Sequence, residues 1–198
     1  MMDTQYFSSG SNFRIDLGCG AAKKEGFTGI DIFPYPGVDF VADLEKDLYF
    51  LPDNSVEEFF SAHFLEHIVN FEGMMKEIHR TLKPGGKAEI VVPHFSNPFF
   101  YSDFTHKRFF GLYSFSYFSS SQKNMRRKVP CYNFPFEFEV VKIKLVFKSP
   151  VGKLHHLYRK HVIQRIFNAS PRMQELYEAL FTGTFHCTEI CYTIKPVK

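Results

Sequence analysis

The chain has 198 residues, with 24 Lys and Arg against 21 Asp and Glu, and its formal net charge of +3 does not by itself call for nucleic acid. A hydrophobic fraction of 44% argues against intrinsic disorder, and no run of about 18 apolar residues is present to span a bilayer. The opening thirteen residues lack a basic n-region and an apolar h-region and are read as no secretory signal, while the scattered Cys19, Cys131, Cys187 and Cys191 suit a reducing cytoplasm better than a disulfide framework.

Up to Pro93 the chain alternates in the manner that predicts a parallel sheet with helices on its faces. Arg14 to Leu17 is a short apolar strand that ends in Gly18-Cys19-Gly20; Phe27 to Ile32 is a second, stopped by Pro34 and Pro36. Val38 to Leu44 reads as a third strand and Val56 to Ala62 as a fourth. Phe71, Met74, Met75, Ile78 and Leu82 keep a helical rhythm, and Pro84-Gly85-Gly86 is a breaker after them. Lys87 to Pro93, with Ile90-Val91-Val92 at its centre, is a fifth strand apolar enough to be buried on both faces. Residues 95–135 are rich in Phe, Tyr and Ser without a clean period and predict a lid or acceptor segment. Most of its rings are expected to be core supporting that lid. Phe136 to Phe147 alternates as a strand, 151–182 is a basic helical insert broken near Ser170-Pro171, and Phe185 to Ile194 is the last strand. The expectation is one domain over 1–198, with a binding core at 13–94.

A glycine turn directly after a strand permits tight backbone geometry and close approach of a ligand to the strand ends. Here it is followed by acids at successive strand ends. Asp31 stands where a carboxylate can accept from both hydroxyls of a ribose, and Asp43 where one can accept from the exocyclic amine of adenine. The third glycine of a dinucleotide fingerprint is missing, since Gly20 is followed by Ala21-Ala22-Lys23.

With these residues the sequence resembles the class I S-adenosylmethionine-dependent methyltransferases, in particular small bacterial members of the type 11-like group. RIDLGCG is similar to their first motif, GIDI to their ribose-binding strand end and VADLE to their adenine-binding turn, with PDNSVEEFFSAHFLEHI and EIHRTLKPGGKAEIVVP following in order. The resemblance implies an α/β, Rossmann-like sheet, mostly parallel with an antiparallel last strand, and a first crossover shortened to the eight residues between Gly20 and Gly29. It implies S-adenosyl-L-methionine as cofactor, with Asp16, Gly18 and Gly20 at the methionine part, Asp31 at the ribose, Asp43 and Leu44 at the adenine, and His63 near the transferred methyl. Similar compact bacterial enzymes are often encoded among polysaccharide-assembly genes and carry a segment like Ser102 to Phe110, so the expected reaction is O-methylation of a glycan or other small molecule.

A hydroxyl acceptor must lose its proton, which calls for a positioned His or carboxylate. His94, directly after the fifth strand, is the leading candidate, followed by His106 and Asp103, and Arg108 is a candidate clamp for an anionic group of the acceptor. His63-Phe64-Leu65-Glu66-His67 also fits the H-x-x-E-H pattern of zinc hydrolases. It begins at a strand end and has no evident distal carboxylate, so no metal is expected. Cys187 and Cys191 are read as sheet packing rather than ligands. Lys153 to His161 is basic and amphipathic; a solvated face explains it, and so does contact of 153–168 with an anionic membrane surface. No nucleic-acid partner is expected. The rival reading is a non-catalytic partner subunit that keeps the fold.

Overall fold

The computed structural model describes residues 7, 12–46, 48, 50–122 and 125–198, so most of the opening segment read above as no secretory signal lies outside the described residues. Seven strands form one sheet in the order β3-β2-β1-β4-β5-β7-β6. β1 (Phe13–Leu17), β2 (Thr28–Asp31), β3 (Phe40–Val41), β4 (Val56–Ala62) and β5 (Leu82–Pro93) are mutually parallel. β7 (Glu189–Val197) runs antiparallel to both β5 and β6 (Glu137–Val146) and lies between them. The mostly parallel α/β sheet with an antiparallel last strand is therefore as expected, and 21–27 holds turns but no helix.

Three boundaries differ from the sequence reading, each for a tertiary reason. The third strand shrinks to two residues because only Ile30 and Asp31 of β2 pair with it. β5 begins at Leu82, before the Pro84-Gly85-Gly86 breaker. Val56 pairs with Leu82 and Glu58 with Lys87, and the residues between bulge out of register through Gly85 at φ +82°. The last strand starts at Glu189 instead of Phe185. The buried Tyr177 hydroxyl donates to the Phe185 carbonyl at 2.8 Å and accepts from the Cys187 amide at 2.8 Å, which holds 185–187 off the ladder.

α1 (Phe71–Thr81) buries Met74, Met75 and Ile78 against the sheet, and the Asn70 side chain caps it by accepting from the Gly73 amide at 3.0 Å. Between β6 and β7 the insert runs as α2 (Lys153–Tyr158), a π-helical turn (Arg159–Ile163) and α3 (Gln164–Phe167), then α4 (Pro171–Leu180), started by Ser170 and Pro171. Ile163, Phe167 and Tyr177 pack inward in the same core as Phe110, Phe115 and Phe118 of the aromatic segment. Contrary to expectation most of that segment's rings are not fully buried: Phe99, Tyr101, Phe104, Phe109 and Tyr132 are exposed, and Phe95, Tyr113, Tyr117 and Phe134 are half-buried.

Candidate active site

Because β1, β2 and β4 are parallel neighbours, their carboxyl ends share one sheet edge, the place where open α/β sheets bind ligands. A cavity of about 500 Å³ opens there, within the range of small-molecule sites. Gly18 and Gly20 form its floor at φ +65° and +53°, a region that side chains rarely adopt. A Cβ on Gly18 would lie 2.4 Å from the Phe64 ring, so only glycine lets the turn pass under that ring. The corresponding space at Gly20 is empty for 4 Å and faces the cavity. The Gly18 amide donates to the Ile30 carbonyl at 2.9 Å, which pins the turn to β2.

Asp31 is buried, and its carboxylate accepts from the Gly20 amide at 2.8 Å and the Phe33 amide at 2.9 Å. A carboxylate has roughly four lone-pair sites, so each oxygen keeps one for a ligand hydroxyl. Asp43, on the same wall, accepts from the Glu45 amide at 3.1 Å and pairs with Lys46 at 3.0 Å; the Lys46 hydrogen bond holds its carboxyl below the usual range. Leu44 lines the cavity from the core side, and Ile32, Phe33 and Tyr35 offer an apolar flank. Glycine floor, ribose-type acceptor, polar adenine-side acid and apolar flank together fit an adenosyl cofactor.

Two further nominated cofactor residues behave differently. His63 lines the cavity at φ +56°, an uncommon left-handed conformation for a residue with a Cβ. Its Nε2 is 3.2 Å from Glu189 Oε1 and its Nδ1 3.4 Å from Glu66 Oε1; Glu189 first and Glu66 second push it up to about 9, so it is an imidazolium at neutral pH. Asp16 is not in the cavity lining. It is buried behind the turn, where it accepts from the Lys24 amide at 2.8 Å and burial pushes its carboxyl up.

The nominated catalytic groups are dispersed. His94 is 0% exposed and does not line the cavity: the Ser96 amide donates to its Nδ1 at 3.1 Å, and its Nε2 donates to Glu178 of α4 at 3.1 Å. Arg108 donates to the Ile68 carbonyl at 2.9 Å and to the Val69 carbonyl, and it does not line the cavity. His106 and Asp103 stand one layer behind the cavity wall. The His106 ring is 4.9 Å from that of His67, which lines the cavity. Asp103 accepts from the Thr105 hydroxyl at 2.5 Å and the Thr105 amide at 2.9 Å, and these bonds keep its carboxyl below the usual range.

Sequence reading missed His67 and Phe64 as wall residues, and Glu189, which reaches His63 from 126 positions away. The apolar run Ile32-Phe33 beside the β2 acid was a usable signal for the flank; for Glu189 there was none. The zinc-hydrolase alternative loses its helix, since His63 follows a strand and 64–67 is a turn. The two C-terminal cysteines are free, and Cys187 is fully buried. A second hollow of about 370 Å³, between β6 and the α3–α4 junction, has Glu139 and Lys142 as its ionisable lining groups among the described residues.

Residues 15–90 match the family model described as a methyltransferase domain. No curated protein matches the chain in sequence. Among solved structures, an S-adenosylmethionine-dependent methyltransferase from Archaeoglobus fulgidus superposes with a TM-score of 0.58 at 18% identity, over 96% of this chain and 89% of that one. The YcgJ protein from Bacillus subtilis gives 0.50 at 13% identity, over 98% and 96%. The fold is shared at this distance, and the family match falls on the segment that builds the glycine turn, the strand-end acids and the cavity. Residues 15–90 thus carry the match to a methyltransferase domain, on a chain that shares the fold of S-adenosylmethionine-dependent methyltransferases.

Proposed function

We propose that the chain transfers the methyl group of S-adenosylmethionine to an oxygen of a glycan or other small-molecule acceptor. The single observation that carries this reading is the joined edge of Gly20, Asp31 and Asp43 around a 500 Å³ cavity. Bound there, the cofactor supplies an electrophilic methyl on a sulfonium, already attached to its leaving group. The protein aligns acceptor and methyl in a water-poor site. Gly18 and Gly20 leave room for the methionine part, Asp31 takes the ribose hydroxyls, and Asp43 with Leu44 borders the adenine. Exposed Phe33, Tyr35, Tyr101 and Phe104 give flat faces on which a sugar ring can stack. Asp16 supports the turn and does not touch the ligand.

The acceptor side also involves a membrane surface on this reading. Leu154, Tyr158, Val162 and Ile166 recur every four residues along 153–167 and face outward, while Ile163 and Phe167 face the core. No acidic residue occurs from Val140 to Gln174, and Lys153, Lys160 and Arg165 flank the outward stripe. An apolar stripe with cationic borders suits anionic headgroups. Among the described residues no helix is long and apolar enough to cross a membrane, so the contact is peripheral.

The test is production of S-adenosylhomocysteine by purified chain with a panel of glycans and lipid-linked sugars. Turnover with a hydroxyl-bearing member, lost when that hydroxyl is replaced by hydrogen, is the expected result. Turnover only with amines or thiols overturns the oxygen assignment.

A further inference from the structure

Glu66, His67 and His106 come from two segments, the turn after β4 and the aromatic segment, and their ligand-type atoms all lie within 4.8 Å of one another. Glu66 is 0% exposed, and neither carboxylate oxygen has a hydrogen-bond partner. Leaving such a group unsatisfied in the interior is costly. His63 Nδ1 stands 3.4 Å from Oε1, an ion-pair contact outside hydrogen-bond geometry, and it leaves Oε2 unmatched.

The protons of the two imidazoles follow from their partners. His106 Nδ1 lies 2.9 Å from the Phe100 carbonyl, which can only accept, so Nδ1 carries the hydrogen. His67 Nδ1 lies 2.9 Å from the Thr105 hydroxyl, whose one proton goes to Asp103 at 2.5 Å, so this Nδ1 is also the donor. With Nδ1 engaged, Nε2 is the nitrogen each ring can offer as a ligand. His106 Nε2 has Asp103 Oδ2 at 3.6 Å, one more acceptor. Two imidazole rings thus gather with a buried carboxylate that has no hydrogen-bond partner; the His63 imidazolium meets one Glu66 oxygen from the side, and the other oxygen is open to a metal ion. The bonds at both Nδ1 atoms are the outer-shell contacts that orient metal-binding histidines.

We propose that Glu66, His67 and His106 form a binding site for a divalent transition-metal ion of the zinc type. Two His and one Glu make up a familiar zinc donor set, and bonds of about 2.0–2.1 Å in a tetrahedron place ligand atoms roughly 3.4 Å apart, so shifts of about an ångström close the triad. This is not the H-x-x-E-H pair that the sequence offered: His63 is replaced by His106, brought in by the fold. The ion ties the aromatic segment to the cavity wall through His67. If the methyl-transfer reading holds, it also assists ionisation of an acceptor hydroxyl whose proton passes to water, the task expected of a histidine base. Binding of the ion does not depend on that reading.

The test uses full-length chain stripped with a chelator and titrated with Zn²⁺ alone by calorimetry, with elemental analysis after dialysis and Co²⁺ absorption as a geometric signature. One ion per chain is expected in the parent and in His161→Ala. His106→Ala and the near-isosteric Glu66→Gln should each weaken binding by at least about ten- to a hundredfold, with circular dichroism showing that each variant is folded. A parent that holds no stoichiometric ion overturns the site, as does unchanged affinity in both folded variants. Since no cofactor or acceptor is present, failure here leaves methyl transfer standing, and failure of turnover leaves metal binding standing.

Discussion

Asp31 Oδ2 accepts the Gly20 amide at 2.8 Å, so the acid that ends β2 holds the backbone of the turn that ends β1. One carboxylate both shapes the cavity floor and presents acceptors to a ligand. Its replacement therefore acts on binding by two routes at once.

Asp31→Ala removes acceptors for two ribose hydroxyls, each worth about 0.5–1.5 kcal/mol net, and releases the Gly20 amide. S-adenosylmethionine affinity should fall roughly ten- to a hundredfold by calorimetry. Parent-like affinity in this variant would remove the ribose role.

The two glycines of the turn should separate stability from binding. Gly18→Ala meets the Phe64 ring at 2.4 Å in a left-handed conformation and should cost about 2–4 kcal/mol of stability in urea unfolding. Gly20→Ala meets nothing within 4 Å and should cost only about 1–2 kcal/mol for its positive φ, while its methyl intrudes on the cavity and lowers cofactor affinity. Equal stability losses would contradict the different packing of the two positions.

His94→Ala should act on the fold. It empties a buried ring site and strands Glu178 and Ser96, a loss of about 2–4 kcal/mol, with cofactor affinity changed no more than a few-fold. A stable variant that retains cofactor but has lost its rate would restore His94 to the chemistry.

Glu89 links Lys87 at 2.7 Å and Lys24 at 3.0 Å, and the Lys87 hydrogen bond holds its carboxyl below the usual range. With the folded pKa depressed, its stabilisation is present above the unfolded value near 4.3 and is lost as pH falls through the folded value. Glu89→Gln should cost at most about 1 kcal/mol at neutral pH, and unfolding curves of the two proteins should converge in acid. A gap that widens on acidification would reverse the sign.

Flotation with vesicles tests the outward stripe of 153–167. Binding to phosphatidylglycerol vesicles and not to phosphatidylcholine is expected, weakening with salt and lost in Leu154→Asp with Tyr158→Asp. Salt-independent binding, or binding that survives both substitutions, would place the contact elsewhere.

The strand ends and their acids were readable because they depend on local rules. Short strand segments of four to seven residues define β1, β2 and β4, glycine marks the left-handed turn, and parallel neighbours bring Gly20, Asp31 and His63 to one edge. The same rules located α1 and the helical insert. What they could not supply is side-chain company. His94 follows a strand as predicted, yet Glu178, 84 residues on, seals it inside, and Arg108 turns to the carbonyls of 68 and 69. Asp16 stands two residues before Gly18 yet does not line the cavity, its carboxylate accepting from the Lys24 amide instead. The cluster of Glu66, His67 and His106 exists only because the aromatic segment folds back onto the turn after β4, where the Lys107 amide donates to the Glu66 carbonyl at 2.8 Å. Periodicity specifies the backbone path over a few residues. Which side chains meet is decided by the packing of segments far apart in the chain, where burial and hydrogen-bond satisfaction select one arrangement.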